Sequence, residues 1–133
     1  MSVKVIRALL LGVGEVTARV PADRIVAGDV AVDKGLPAIG ITEVVLVPIG
    51  AFDAQAEYSI VTSRVQVTVV GKAYPDVIAI INLARRACNF ERGQIAGVDV
   101  ISVLRDTVGP DMEDVAGNSI KTIDFKVTYH EPN

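Results

Sequence analysis

The chain has 133 residues, half of them apolar, and its 13 basic and 16 acidic side chains give a formal net charge of −3. A chain of this length buries roughly 70% of its unfolded surface, so a core forms without disulfide or metal, and the apolar content excludes intrinsic disorder. The acidic balance disfavours nucleic-acid binding through phosphates, and one cysteine and one histidine exclude an internal disulfide, a multi-cysteine zinc site and most histidine-based catalytic sites.

The longest apolar run, Val3–Val13, is predicted to be a first helix rather than a membrane segment. It has about half of the ~20 apolar residues that cross a bilayer. Lys4 and Arg7 lie inside it, which does not fit a secretory signal. Its apolar residues recur at helical intervals, and Gly12 and Gly14 follow as a helix end, not as a dinucleotide loop, because no strand precedes them. We therefore expect a protein that is assembled in the cytoplasm and has no membrane partner.

Strands and a second helix are predicted further along the chain. Extended stretches occur at Ile25–Val26 and over Leu36–Leu46, where Pro37 suits a strand start or edge because it cannot donate to a ladder. The clearest strand is Ser63–Val70, in which apolar and polar residues alternate with a period of two. A helix over Pro75–Asn89 follows, because proline is favoured at the first helical position and one apolar stripe runs along the segment.

Two later β-rich runs, Val98–Leu104 and Thr122–Tyr129, are predicted to pair as a hairpin. The connection between them, residues 105–120, is predicted to be long, acidic and exposed, and loops of this length are often functional. Together the elements predict an α+β fold that forms one domain over residues 1–133. A mainly antiparallel sheet of about four to five strands packs with two main helices, Val3–Val13 and Pro75–Asn89.

Three groups of residues are candidates for contacts with other proteins. One is basic and lies at the end of the second helix, one is acidic and lies in the long connection, and one is aromatic and lies in the polar interruption at residues 49–58. The basic group is Arg85, Arg86 and Arg92, the acidic group is Asp111, Glu113 and Asp114, and the aromatic group is Phe52 and Tyr58.

Each group also has a simpler interpretation. Arginines near a helix C-terminus are favoured by the helix dipole. The acidic group fits a solvated loop, or less well a cation site, because its spacing lacks the pattern of an EF-hand loop. The aromatic group fits a plain hairpin loop. Under the interface hypothesis, the arginines of one copy meet the acidic loop of the next.

No set of residues predicts catalysis, a cofactor or a bound metal. Cys88 lies in the apolar stripe of the second helix, which is typical of a small buried hydrophobe rather than a nucleophile. His130 lies near the C-terminus, where chains usually fray, so an exposed histidine is favoured over a catalytic base. We therefore predict a protein that is not an enzyme.

Five segments, in chain order, resemble those of one known family. Leu36–Ile39 resembles the proline-containing start of its second strand, and Arg64–Val69 resembles its central strand. Tyr74–Cys88 is similar to its long alanine-rich helix, Gly97–Val98 to the opening of its next strand, and Ile123–Tyr129 to its closing strand with an Asp-Phe pair. The family is the tail terminator, or tail completion, family of minor tail proteins in long-tailed bacteriophages and prophages.

The resemblance implies a small α/β fold in which helices cover a mainly antiparallel sheet. It also implies a hexameric ring on the end of the tail tube, which stops tube polymerisation and provides the surface to which the head attaches. The implied partners are further copies of the chain, the tail tube protein and the head connector protein, all in the virion. Two alternatives stay open: a head-side connector or adaptor protein of the neck, and a small dimeric ferredoxin-like enzyme, which would need an apolar pocket with convergent polar groups.

Overall fold

The computed structural model describes residues 1–50 and 57–132, which form three α-helices and one seven-stranded sheet. The helices are α1 (Ser2–Leu11), α2 (Gly14–Arg19) and α3 (Tyr74–Cys88). The strands are β1 (Ile25–Ala27), β2 (Ala38–Gly50), β3 (Tyr58–Gly71), β4 (Glu91–Ile95), β5 (Val98–Val108), β6 (Met112–Glu113) and β7 (Ser119–Pro132). Short 3₁₀ helices at Ala22–Arg24 and Val32–Lys34 flank β1 along the chain.

The strands lie in the order β1-β2-β3-β7-β5-β4, and β6 pairs with β7 where β5 has ended. The predicted pairing of β5 with β7 is confirmed. The prediction of four to five strands is wrong, because the sheet has seven. The sheet is also mixed rather than simply antiparallel, because β1 runs parallel to β2. Strands of two and three residues, such as β6 and β1, are too short to produce a period-two pattern.

Both predicted helices are present, but the described residues contain a third. The first predicted helix, Val3–Val13, is Ser2–Leu11, and the second, Pro75–Asn89, is Tyr74–Cys88. The prediction of two main helices missed α2, whose six residues bury only Val16 and therefore show no periodic stripe.

The pairing of β3 with β7 organises the core. The two strands are antiparallel without a register shift from Tyr58↔Pro132 to Gly71↔Ser119. On the face towards the helices, Val65 lies opposite Phe125 and Val61 opposite Tyr129, and these four side chains are at most 1% exposed. Helices α1 and α3 pack on this face, so it carries the hydrophobic core.

A polar cluster fixes the start of α1 to the sheet. The hydroxyl of Ser2 donates to Glu43 Oε2 at 2.7 Å, and the hydroxyl of Ser63 donates to the same oxygen at 3.0 Å. Both serines are fully buried. Glu43 borders a bulge in β2, because the register with β3 shifts between Glu43 and Val45. Since the carboxylate satisfies both hydroxyls, their burial leaves neither without a partner.

At Gly40 the backbone that follows β1 passes close to β2. A Cβ at this position would lie 2.7 Å from the carbonyl oxygen of Gly28 and 2.8 Å from the backbone nitrogen of Val30. Backbone atoms cannot move aside as a flexible side chain can, so only glycine lets the segment after β1 cross β2 here.

A two-residue turn joins β4 to β5. Ile95 pairs with Val98, and the two residues between them have positive φ, 51° at Ala96 and 77° at Gly97. Positive φ at both central positions defines a type I′ turn, which matches the twist of a hairpin and favours Asn-Gly. Alanine at the first position is therefore strained.

We expect Ala96→Asn to raise the free energy of unfolding by about 0.5 kcal/mol, because asparagine tolerates the left-handed conformation better than alanine. Gly97→Ala should lower it by about 1 kcal/mol, since no atom lies within 4 Å of the added Cβ and only backbone strain changes. Urea unfolding measures both. Equal stabilities of the wild type and both variants would contradict the turn assignment.

Candidate interaction surfaces

The face of the sheet that points away from the helices is polar and internally paired. Arg64 Nε donates to Asp124 Oδ2 at 2.8 Å, and Arg64 Nη2 lies 2.7 Å from the same oxygen. Asp106 lies 3.3 Å from Arg64 and 3.9 Å from Lys126. Two acids therefore balance two cations, and this face, which we call the open face, presents no excess charge to a nucleic acid.

A cleft of about 510 Å³ lies on the open face beside these charges. Val45 and Val47 line one part of it, and Arg64, Asp106 and Lys126 line another. The Arg64 side chain is 39% exposed, so its guanidinium group is available to a further contact. The cleft combines an apolar wall with a cation, a combination that suits an aromatic side chain better than a charged one.

The outer edge of β2 carries an apolar patch. Among the described residues, β1 pairs only with Ile39, Gly40 and Ile41, so the rest of β2 has no strand on that side. Four apolar side chains there are 47–62% exposed, namely Val44, Val45, Val47 and Ile49. A long exposed apolar edge is typical of a surface that another protein covers. We call these four residues the β2 flank.

The predicted basic group lies around the end of α3 and on β4. Arg86 is exposed and its Nε only weakly contacts the carbonyl of Asn82, at 3.5 Å, and Arg92 is exposed on the edge strand β4. Arg85 is half-buried, and its Nε has no hydrogen-bond partner among the described residues. Two of the three predicted arginines are therefore freely presented.

Phe90 was missed by the sequence prediction and lies within the same region. Its side chain is 78% exposed, and its φ is 66°, which is unusual for a bulky residue. The backbone holds it firmly: the N–H of Phe90 donates to Val103 O at 2.7 Å, and the N–H of Arg105 donates to Asn89 Oδ1 at 3.0 Å. Its signal in the sequence was an apolar residue directly after the predicted end of the second helix.

Most of the predicted acidic group is used within the molecule. The long connection is partly regular, because β5 continues to Val108 and β6 follows. Lys121 Nζ donates to Asp111 Oδ1 at 2.5 Å, and this bond lowers the pKa of Asp111 below its usual value. Asp114 accepts from the side chain of Asn118 at 2.9 Å, which lowers its pKa. Glu113 is exposed on β6.

The basic and acidic groups lie at opposite ends of α3. Tyr74, the first residue of α3, donates to Asp111 at 3.3 Å, whereas Arg85 and Arg86 lie in its last turn. At 1.5 Å per residue, Tyr74 and Arg85 are about 16 Å apart along the helix axis. The two groups therefore do not meet within one copy.

Of the aromatic pair, Phe52 lies outside the described residues, and Tyr58 is 52% exposed. The Tyr58 ring is edge-on to His130, with 6.4 Å between centroids. The prediction that the chain frays at His130 is wrong. His130 lies in β7 and pairs with Ile60 of β3, and its Nδ1 lies 3.0 Å from Asp99 Oδ2. This end of the sheet is held by strand pairing.

Two further properties concern chemistry. Burial raises the pKa of the Cys88 thiol to about 12, and the nearby Glu91 adds to the effect. Residues 1–50 and 57–132 contain no group of His, Cys, Asp and Glu side chains arranged to hold a metal ion. Within the same residues, none of the helices combines the length and apolar character needed to cross a bilayer.

Comparison with known proteins identifies the fold but no family. No family model and no curated protein matches the chain. A solved chain from the virion of a native gene transfer agent particle is similar in structure, with a TM-score of 0.71 and 10% sequence identity, over 96% of this chain and 92% of that chain. The shared α+β fold therefore extends over nearly the whole of both chains.

We expect Cys88 to resist thiol reagents in the folded protein, because at pH 8 almost none of a thiol with a pKa of about 12 is ionised. Labelling with a chromogenic disulfide should be complete in denaturant and negligible without it. Rapid labelling of the native protein would contradict the burial of this side chain.

Asp114 should stabilise the turn before β7 in a pH-dependent way. The pKa of Asp114 in the folded protein lies below the usual 3.8. Its contribution to the free energy of unfolding is therefore fully present above pH 3.8 and is lost as the pH falls through the lowered pKa. Asp114→Ala should therefore have a lower urea midpoint than the wild type at pH 7, and the gap should narrow below pH 3.8. Glu113→Ala serves as control, and a gap that does not change with pH would contradict this role.

Proposed function

We propose that this chain is a structural protein of a phage-like virion, where it forms a hexameric ring on the end of the tail tube. The observation that carries the proposal is the similarity of its fold, over 96% of the chain, to a chain of the gene transfer agent virion. The order of segments that resembles tail terminator proteins supports the position at the tail end. The ring is assembled in the bacterial cytoplasm and stays in the neck of the virion.

The surface supports a binding role rather than catalysis. Cys88 is buried, and the charges of the open face are paired with each other. The exposed features that the fold does not use include apolar and basic ones, namely the β2 flank, Phe90 and the arginines near it. Such features are typical of contacts between proteins.

A ring further requires two different, complementary surfaces on each copy, because its contacts run head to tail. The basic group meets this requirement on one side of the molecule. Asp111 and Asp114 are neutralised or bonded within the chain, which leaves Glu113 as the accessible member of the acidic group. The ring would end tube growth by occupying the last tube subunits, and its opposite side would receive the head connector.

Addition of the purified protein to polymerising tube protein from the same phage or prophage tests this function. We expect tubes that stop growing and carry a ring at one end in negative-stain micrographs. Tubes of unchanged length, with the protein bound to the portal complex instead, would overturn the tail-end position in favour of a head-side connector. A compact dimer with a retained small molecule would overturn the virion role.

Reversal of the exposed basic charges should weaken ring formation. Arg86→Glu combined with Arg92→Glu should lower the fraction of protein in rings at low salt, because like charges at a contact repel. Lys4→Glu combined with Lys72→Glu changes the same number of charges at exposed positions elsewhere. Native mass spectrometry compares the two double variants, and an equal ring fraction in both would refute a role for the basic group.

A further inference from the structure

We propose that Phe90 of one copy inserts into the open-face cleft of the next copy, against Val45 and Val47. This inference rests on the proposed ring and names the residues that join its subunits. The occupant of the cleft is thus a second copy of this chain, bound head to tail.

The first argument is the way in which Phe90 is presented. A phenylalanine side chain that is 78% exposed is unfavourable in a free protein, and the positive φ of this bulky residue adds backbone strain. Two hydrogen bonds nevertheless fix this conformation: the N–H of Phe90 donates to Val103 O, and the N–H of Arg105 donates to Asn89 Oδ1. Exposed aromatic side chains held rigidly lose little entropy on binding and are common anchors of interfaces.

The second argument is the chemistry of the cleft. Val45 and Val47 are 47% and 52% exposed and offer an apolar wall. Arg64 lines the same cleft, and its guanidinium group is held in place by Asp124. A phenyl ring between two valines and a guanidinium group gains both apolar burial and a cation–π contact.

The third argument is the position of the two features in the sheet. Glu91, next to Phe90, pairs with Val103, which pairs with Val127. Val127 pairs with Ser63, and Ser63 pairs with Leu46, between Val45 and Val47.

Phe90 and the valine wall of the cleft therefore lie at the same level along the strands, with four strand spacings, about 19 Å, between β4, which follows Phe90, and β2. The rest of the cleft crosses the open face as far as Asp106 and Thr107 on β5. If the ring axis runs along these strands, contact surfaces at one level join successive copies without a shift along the axis, as a closed ring requires.

The charges of the two sides agree with this contact. The side of the molecule that carries Phe90 has exposed arginines at positions 86, 92 and 105 against two exposed acids, Glu91 and Asp99, and Asp99 lies 3.0 Å from His130. Residues 21–50, which form the side of β1 and β2, have one exposed cation, Lys34. The exposed acids in that range are Asp23, Asp29, Asp33 and Glu43. Opposite charge on the two sides favours contact between unlike sides over contact between like sides.

Truncation of Phe90 tests the anchor. Phe90→Ala should raise the protein concentration at which half of the chains associate by about thirtyfold, as expected for an aromatic anchor. Val115→Ala, at a fully exposed position on the turn before β7, is the control and should change this concentration less than about twofold. Sedimentation velocity over a concentration series measures both, and both side chains are too exposed for the fold to depend on them. An unchanged midpoint for Phe90→Ala would overturn the proposal.

Cross-linking tests the partner surface directly, even where free protein is mainly monomeric. Arg92→Cys combined with Val47→Cys leaves Phe90 in place and should give a ladder of disulfide-linked chains on mild oxidation, since one cysteine of each copy then lies close to the other cysteine of its neighbour. Arg92→Cys combined with Val115→Cys is the matched control and should give no such ladder. Equal yields from the two pairs would overturn the proposal.

The outcomes separate this inference from the proposed function. Rings that cap tubes but form normally without Phe90 would leave the proposed function standing and overturn the inference. Loss of tube binding in Phe90→Ala, with self-association unchanged, would also overturn it, because Phe90 would then contact the tube protein.

Discussion

The uninterrupted pairing of β3 with β7 is the constraint on which the rest of the molecule depends. Side chains alternate between the two faces of a strand, so a slip of β7 by one residue would move Phe125 and Tyr129 from the core to the open face. It would also bring the charges of Asp124 and Lys126 under the helices. The cost of burying those charges fixes the register as firmly as the gain from burying the aromatic rings. All other strands and helices take their positions from these two strands.

The same register separates the surfaces that are satisfied from those that are not. In the middle of the sheet, charges on the open face meet partners on neighbouring strands, as Arg64 meets Asp124 across β3 and β7. Towards its two sides such partners run out, and apolar residues are exposed at β2 and before β4. The contacts with other proteins that we propose thus lie at the sides of the sheet, where a ring would need them.

The sequence was informative where a pattern repeats over many residues. The alternation in Ser63–Val70 and the stripe in the second helix each involve a full face of an element, so they were predicted correctly. The three-residue β1 and the two-residue β6 form because neighbouring strands offer free hydrogen-bonding groups, and this information lies elsewhere in the chain.

The exposure of the candidate interface residues was also only partly predictable from the sequence. Arg86 and Arg92 are exposed as their polarity suggests, but Phe90 is exposed through a backbone conformation, and Asp111 is neutralised by Lys121 ten residues away.

Gly40 bears on how this fold changes in evolution. The similar virion chain shares 10% of its residues with this one, so most side chains can be exchanged while the backbone path is kept. Core positions tolerate this exchange because one apolar side chain can replace another of similar volume. At Gly40 no such replacement exists, since any Cβ would collide with the backbone of Gly28 and Val30. We therefore expect distant homologues that retain the crossing after β1 to differ almost everywhere in the core and still to carry glycine at this one position.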